Sequence, residues 1–167
     1  LVSEACRGLR TATVEIDTPL ETITASELDD RVVAIPILRA GLGMLEAVTD
    51  SIPGVSVGYV GLERDEMTAV ARTYYEKLPS LDRATVLLLD PMLATGGSAR
   101  YALERIFAAK PHHVSLVCVV AAPEGIDLLT NHFPELQIVT AAIDRGLNNR
   151  KYILPGLGDY GDRLYGT

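Results

Sequence analysis

Residues 85–98 read TVLLLDPMLATGGS, and the order of residue types in this stretch decides the fold. Thr85–Asp90 is a nearly continuous apolar run that ends in an acid. A run without alternation is the pattern of a strand covered on both faces, as in a parallel sheet. A short loop follows, closes on Thr95-Gly96-Gly97-Ser98 and opens a candidate helix, Ser98–Ala109. The unpaired N–H groups and positive dipole end at a helix start suit a phosphate. Gly96 and Gly97 let the backbone come close to its oxygens. Thr95 and Ser98 add hydroxyl donors, and Asp90 could accept hydrogen bonds from sugar hydroxyls beside the phosphate. The competing reading makes Ser98 a helix cap and the glycines a turn. The apolar strand with its terminal Asp tips the balance toward phosphate.

Similar runs lie on either side. Arg31–Ile37 (RVVAIPI), Val55–Val60, Val114–Val120 (VSLVCVV) and Gln137–Ala141 are candidate strands, and Gly43–Asp50 and Glu124–His132 are candidate helices. This alternation predicts an α/β domain over residues 1–167 with a mainly parallel central sheet flanked by helices. Thr11–Asp17 (TATVEID) alternates in period two and reads as an extended arm or hairpin strand outside that sheet. The tail after Asp144 is rich in Gly and Asn and reads as ordered loop. The chain opens in what reads as an amphipathic helix without an initiator Met, so an N-terminal piece is expected to be missing.

Composition narrows the classes of function. The 167 residues are 48% hydrophobic, which speaks against disorder. Fifteen Lys and Arg against 22 Asp and Glu leave a net charge of −7, which disfavours nucleic acid as a partner. Cys6 and Cys118 form no zinc or disulfide pattern. No apolar run approaches the roughly 18–20 residues needed to cross a bilayer. LVSEACRGLR is no signal peptide, because Glu4 interrupts its short apolar stretch. A cytoplasmic protein without a membrane partner is expected.

Ligands of open α/β sheets bind outside the carboxyl ends of the strands. Arg39 follows strand VVAIPIL and precedes Ala40-Gly41, a place that suits a diphosphate as well as a surface charge. Arg64-Asp65-Glu66 also follows a strand and reads equally as a solvated cluster. The tail Tyr152–Arg163 could offer backbone groups to the edge of a flat heterocycle, or form a structural loop. His112, His113 and His132 show no ligand spacing and read as solvent-exposed, the first two in a loop before a strand. No Walker loop occurs. Gly156-Leu-Gly158-Asp-Tyr-Gly161 is a literal G-x-G-x-x-G with no room for a βαβ unit behind it.

VLLLDPMLATGGS (Val86–Ser98) resembles the motif that binds 5-phosphoribosyl 1-diphosphate (PRPP) in type I phosphoribosyltransferases. Its Asp-Pro-Met-Leu-Ala-Thr-Gly-Gly-Ser form is similar to that of the uracil phosphoribosyltransferases. PILRAGLGM (Pro36–Met44), VVAAPEGI (Val119–Ile126) and YILPGLGDYGDRLYGT (Tyr152–Thr167) agree. The resemblance implies a type I phosphoribosyltransferase fold with a protruding β-arm and a C-terminal base-binding hood. It implies pentosyl transfer from PRPP to uracil, giving UMP and diphosphate in pyrimidine salvage. Mg²⁺ would be bound mainly through PRPP. Asp90, Pro91, Met92, Leu93, Ala94, Thr95, Gly96, Gly97 and Ser98 would bind PRPP, with the 5-phosphate on Ala94–Ser98 and the ribose hydroxyls on Asp90. Arg39 would face the diphosphate after a cis Leu38–Arg39 peptide, and Arg64 would reach PRPP from a flap. Arg39 and Asp90 would be the catalytic groups. Ile153, Gly158, Asp159 and Tyr160 would recognise uracil, and Asp159 would also face PRPP. A homodimer or larger homo-oligomer is implied, and a GTP effector is compatible with the family.

Two positions depart from the family pattern. Tyr160 stands where a small residue is usual, and the flap after Arg64 lacks a customary proline. Transfer to another base, or a non-catalytic RNA-binding pyrimidine regulator on the same fold, are the alternative readings.

Overall fold

The computed structural model describes residues 1–64 and 71–167, with the backbone alone at 63, 64, 71 and 72. The first half of the chain runs α1 (Val2–Ala5), β1 (Thr11–Asp17), β2 (Thr22–Leu28), β3 (Val32–Leu38), α2 (Leu42–Ser51), β4 (Ser56–Val57), β5 (Tyr59–Arg64) and β6 (Ala71–Lys77). The second half runs β7 (Thr85–Leu89), β8 (Met92–Leu93), α3 (Gly97–Ala108), β9 (His113–Ala121), α4 (Pro123–His132), β10 (Gln137–Ile143), β11 (Gly146–Leu147), β12 (Ile153–Leu154) and α5 (Tyr160–Tyr165).

The central sheet has the order β10-β9-β7-β3-β5-β6, with β4 beside β3 and β8 beside β9. Its pairs are parallel except β5–β6, which form an antiparallel hairpin at one edge. Side chains of successive strand residues point to opposite faces. Val33, Ile35 and Ile37 of β3 and Val86 and Leu88 of β7 therefore share the face covered by α3 and α4. Val32, Ala34, Leu87 and Leu89 face α1 and α2. Both faces are buried, which is why these strands read as unbroken apolar runs. Each such Leu or Ile contributes roughly 1.5–3 kcal/mol. Ala99, Ala102, Leu103 and Ile106 lie three and four apart along α3 and are all buried, so the helix lies flat on the sheet.

β1 and β2 make a two-stranded antiparallel arm outside the main sheet. Its turn is closed by Thr18, whose hydroxyl donates to the Glu21 carbonyl at 2.7 Å and accepts the Glu21 amide at 3.1 Å. Its base is held by buried Asp30, which accepts the Arg10 amide at 2.7 Å and the Arg10 guanidinium at 2.8 and 3.0 Å. Burial alone would raise the Asp30 carboxyl. The Arg10 amide and guanidinium outweigh it and hold the pKa below its ordinary value.

Several expectations need correction. The N-terminal helix covers only Val2–Ala5. Val55–Val60 is split, because Gly58 separates β4 from β5. The tail carries β11 and β12, paired antiparallel, and a short helix, α5. Asp159 caps that helix by accepting the Asp162 amide at 2.9 Å. His113 begins β9 and is half-buried, with Nε2 at 3.1 Å from Ser115 Oγ and from Gln137 Oε1. His112 and His132 are exposed, as expected. Among the described residues, no helix is long and apolar enough to cross a membrane.

Candidate active site

The carboxyl ends of β3 and β7 open on the same side of the sheet and bound a cavity of about 290 Å³. Four stretches meet around it: Ile37–Ala40 at the end of β3 and just beyond it, Leu62 on β5, Asp90–Ser98 after β7, and the segment from Lys151 to Gly161.

After β3 the chain turns at once into α2. The Leu38–Arg39 peptide is cis, as the resemblance implied. Gly41 is required for this turn, since a Cβ there would stand 2.4 Å from the Leu89 carbonyl oxygen and 2.7 Å from the Ile37 nitrogen. The turn thus packs against the end of β7 and leaves Arg39 at the cavity rim, its side chain 54% exposed. Arg39 Nη2 donates to Asp162 Oδ1 at 3.3 Å, and Cζ lies 5.8 Å from the centre of the Tyr165 ring.

After β7, Asp90 is half-buried at the strand end. Asp90, Met92, Ala94 and Ser98 line the cavity. Pro91 is buried and the Leu93 side chain lies in the core at 1% exposure, so neither side chain reaches the cavity. Thr95, Gly96 and Gly97 complete the loop without lining the cavity. The N-cap is Gly96 at φ 80°, not Ser98, and as a glycine it offers α3 no side-chain cap. Ser98 lies inside the first turn, so the capping alternative for it does not hold. Thr95 Oγ1 accepts the Gly97 amide only at 3.4 Å. An uncapped helix start beside a cavity is suited to anion binding. The loop is braced from behind by α4: a Cβ on Gly125 would stand 2.5 Å from the Ala94 carbonyl oxygen.

The third wall is the tail. Ile153 is buried, while Gly158 and Asp159 are exposed at the rim. Asp144 accepts the Gly156 amide at 2.8 Å, and Glu124 of α4 accepts the Leu147 amide at 2.9 Å. These bonds fasten the tail over the sheet. Tyr160 lines the cavity and its hydroxyl end rests against α2: a Cβ on Gly43 would stand 3.1 Å from that oxygen. Arg64 ends the backbone of β5, and its side chain lies outside the described residues, as do Asp65 and Glu66. The β5–β6 hairpin is tied to α3 by a Thr73–Tyr101 hydroxyl contact and by a Glu76–Arg105 ion pair at 2.7 Å.

Cys118 lies beneath the site in β9. Burial pushes its thiol up to about 11, so it supplies no thiolate at neutral pH. Among the described residues, no group of three or more His, Cys, Asp or Glu gathers for a metal ion.

Sequence reasoning missed Asp162, Tyr165 and Glu124. The first two stand more than 120 residues from their partner Arg39, and no local pattern marks such a contact. Glu124 could have been found as an acid in the first turn of a helix, but that signal names no partner.

A mainly parallel sheet with this strand order, a glycine loop at a helix start after a central strand and an antiparallel edge hairpin define the type I phosphoribosyltransferase fold. A hypoxanthine phosphoribosyltransferase from Staphylococcus aureus shares the fold at 13% identity, with a TM-score of 0.53 over 70% of this chain and 64% of that one. The sequence pattern of the uracil phosphoribosyltransferases matches residues 1–167, and the chain belongs to that family. The uracil phosphoribosyltransferase of Malacoplasma penetrans is 46% identical over 98% of this chain and 80% of its own length. The AQ2163 protein of Aquifex aeolicus superposes with a TM-score of 0.96 at 40% identity, covering all of this chain and 81% of that one.

Proposed function

We propose that the chain transfers the 5-phosphoribosyl group of PRPP to uracil, giving UMP and diphosphate. The observation that carries this reading is the meeting of Arg39, Asp90, the Ala94–Ser98 loop and the Gly158–Tyr160 turn around one cavity, in a family member matched over its whole length.

In this reading the amides and hydroxyls of Ala94–Ser98 hold the 5-phosphate at the start of α3. Asp90 accepts from the ribose hydroxyls and fixes the sugar. The bond from the ribosyl carbon to diphosphate breaks as the bond to uracil N1 forms, N1 gives up its proton to the departing diphosphate, and positive charge develops on the sugar. Arg39, with Arg64 from the flap, stabilises the charge on the departing diphosphate. Backbone groups of Ile153, Gly158 and Tyr160 hold the uracil edge, and Asp159 faces PRPP. The rate comes from alignment and fixed charge, and no protein nucleophile takes part.

The donor set fits Mg²⁺. Two carboxylates, Asp90 and Asp159, line the cavity, and hard oxygens in small number suit an ion that keeps water and substrate oxygens as its other ligands. Those two residues would hold its shell. When bound, the ion supplies positive charge that neutralises the diphosphate.

The same reading takes residues 1–167 as one cytoplasmic phosphoribosyltransferase domain. It also takes the protein as a homodimer or larger homo-oligomer, compatible with a GTP effector. The arm adds support for association, since it leaves Ile16, Leu20 and Ile23 exposed.

Turnover with PRPP, Mg²⁺ and a panel of bases tests the reading. UMP formed with uracil, and no nucleotide from cytosine, hypoxanthine or orotate, is the expected result. Product from a different base alone would refute it.

A further inference from the structure

Arg39 does not present a bare guanidinium to the cavity. Nη2 donates to Asp162 Oδ1 at 3.3 Å and to Thr167 Oγ1 at 3.5 Å, while the group lies over the Tyr165 ring. The Thr167 hydroxyl in turn donates to Asp162 Oδ1 at 3.2 Å, and the Tyr165 hydroxyl donates to the Arg39 carbonyl at 3.2 Å. All three partners belong to α5 or directly follow it.

Each contact to the guanidinium is long for a charged group, where 2.7–2.9 Å is usual. Arg39 and Asp162 side chains are 54% and 51% exposed. An ion pair this open to water is weak and readily exchanged. A diphosphate carries more charge than one carboxylate and offers paired oxygens that match the guanidinium fork. The geometry of Arg39 therefore fits a holding position better than a permanent bond.

We propose that Asp162 is a positioning residue: its carboxylate holds the Arg39 guanidinium at the cavity rim and gives it up to the diphosphate group of the substrate. This rests on the assignment of Arg39 to diphosphate made above. Two consequences follow. Arg39 stays close to its working place before substrate arrives, so less side-chain freedom is lost on binding. The freed carboxylate then stands near a polyanion and competes for Arg39, which favours release of diphosphate after transfer.

Titration with inorganic diphosphate and Mg²⁺ tests this in the full chain. Asp162→Asn should bind diphosphate about three- to tenfold more tightly, because both a competing partner and a repelling charge are gone. Asp162→Glu restores the charge and should return the affinity toward that of the unmodified protein. KM for uracil should not move in D162N. A purely structural role would raise it, since the Asp162 amide is the one Asp159 caps. Unchanged or weaker diphosphate binding in D162N overturns the proposal. Should D162N fail to fold, unsubstituted protein carrying fluorotyrosine gives the second reading. The Tyr165 resonance, assigned with Y165F, should shift as diphosphate saturates, and a fixed resonance overturns the proposal. Arg39→Ala separates the two levels. If R39A binds diphosphate normally, the assignment of Arg39 itself fails. If R39A loses binding and D162N does not tighten it, only the exchange fails.

Discussion

Glu124 Oε1 accepts the backbone amide of Leu147 at 2.9 Å, which fastens the first turn of α4 to β11. The next residue, Gly125, lies so close to the Ala94 carbonyl that it has no room for a Cβ. One helical turn thus braces the proposed phosphate loop and the proposed base-binding tail together. The Glu124 carboxyl is held below its ordinary pKa, first by its own amide and then by that of Leu147. A lowered pKa means the bond is complete above the ordinary carboxylate range and is lost only as pH falls through the lower value. Glu124→Ala should raise KM for uracil about three- to tenfold and leave KM for PRPP in place. Steady-state kinetics with each substrate varied in turn checks this.

Gly125→Ala should act on the other side of the same turn. The added methyl must displace the Ala94 carbonyl, and overpacking of this kind costs about 1–3 kcal/mol. KM for PRPP should rise while KM for uracil changes little. The pair of variants therefore splits the two substrates, which kinetics and a thermal melt together can verify.

Tyr160 bears on base choice. Its hydroxyl end lies against Gly43, so only its backbone is assigned to uracil. Tyr160→Ala should keep uracil as the preferred base while lowering stability by about 1–2 kcal/mol through lost packing. The base panel and a denaturant melt check both parts; a switch of preferred base would show that the side chain shapes the pocket.

Much of this architecture is legible in the sequence because burial on two faces leaves an unmistakable mark. β7 and β9 are nearly continuous apolar runs, and Ala99, Ala102, Leu103 and Ile106 repeat at helical spacing. The proposed phosphate loop is legible for a related reason: glycine, hydroxyl and acid fall in a fixed order after a strand. β2 leaves no strand signal in the sequence, since Thr22–Leu28 has no buried face to pattern it. α5 leaves no helical pattern because it is six residues long, contains Gly161 and depends on its Asp159 cap. Leu93 and Pro91 sit inside a motif associated with binding, yet the pleat turns Leu93 into the core. The Arg39–Asp162 contact joins residues 123 apart and leaves no local trace.

The arm has its own acid sensitivity. Asp30 is nearly buried and keeps its charge through Arg10. Its lowered pKa places its stabilising contribution above the ordinary carboxylate value near 4, with loss as pH falls below that toward the folded-state value. Arg10 is 57% exposed, so the pair is partly screened. Asp30→Ala should cost about 1–3 kcal/mol at neutral pH, because the Arg10 amide loses its acceptor. The penalty should shrink as pH falls below about 4, where the unfolded chain binds a proton that the native carboxylate still resists. Melts of both proteins from pH 3 to 7 measure this directly.

The account stands on one cavity holding a phosphate at one end and a pyrimidine at the other. A crystal structure with UMP tests that most directly. The 5′-phosphate should sit on the amides of residues 95–98, the ribose hydroxyls against Asp90, and the uracil edge against the backbone of Ile153 and Tyr160. UMP bound elsewhere, or bound here with its phosphate away from the start of α3, would contradict the account.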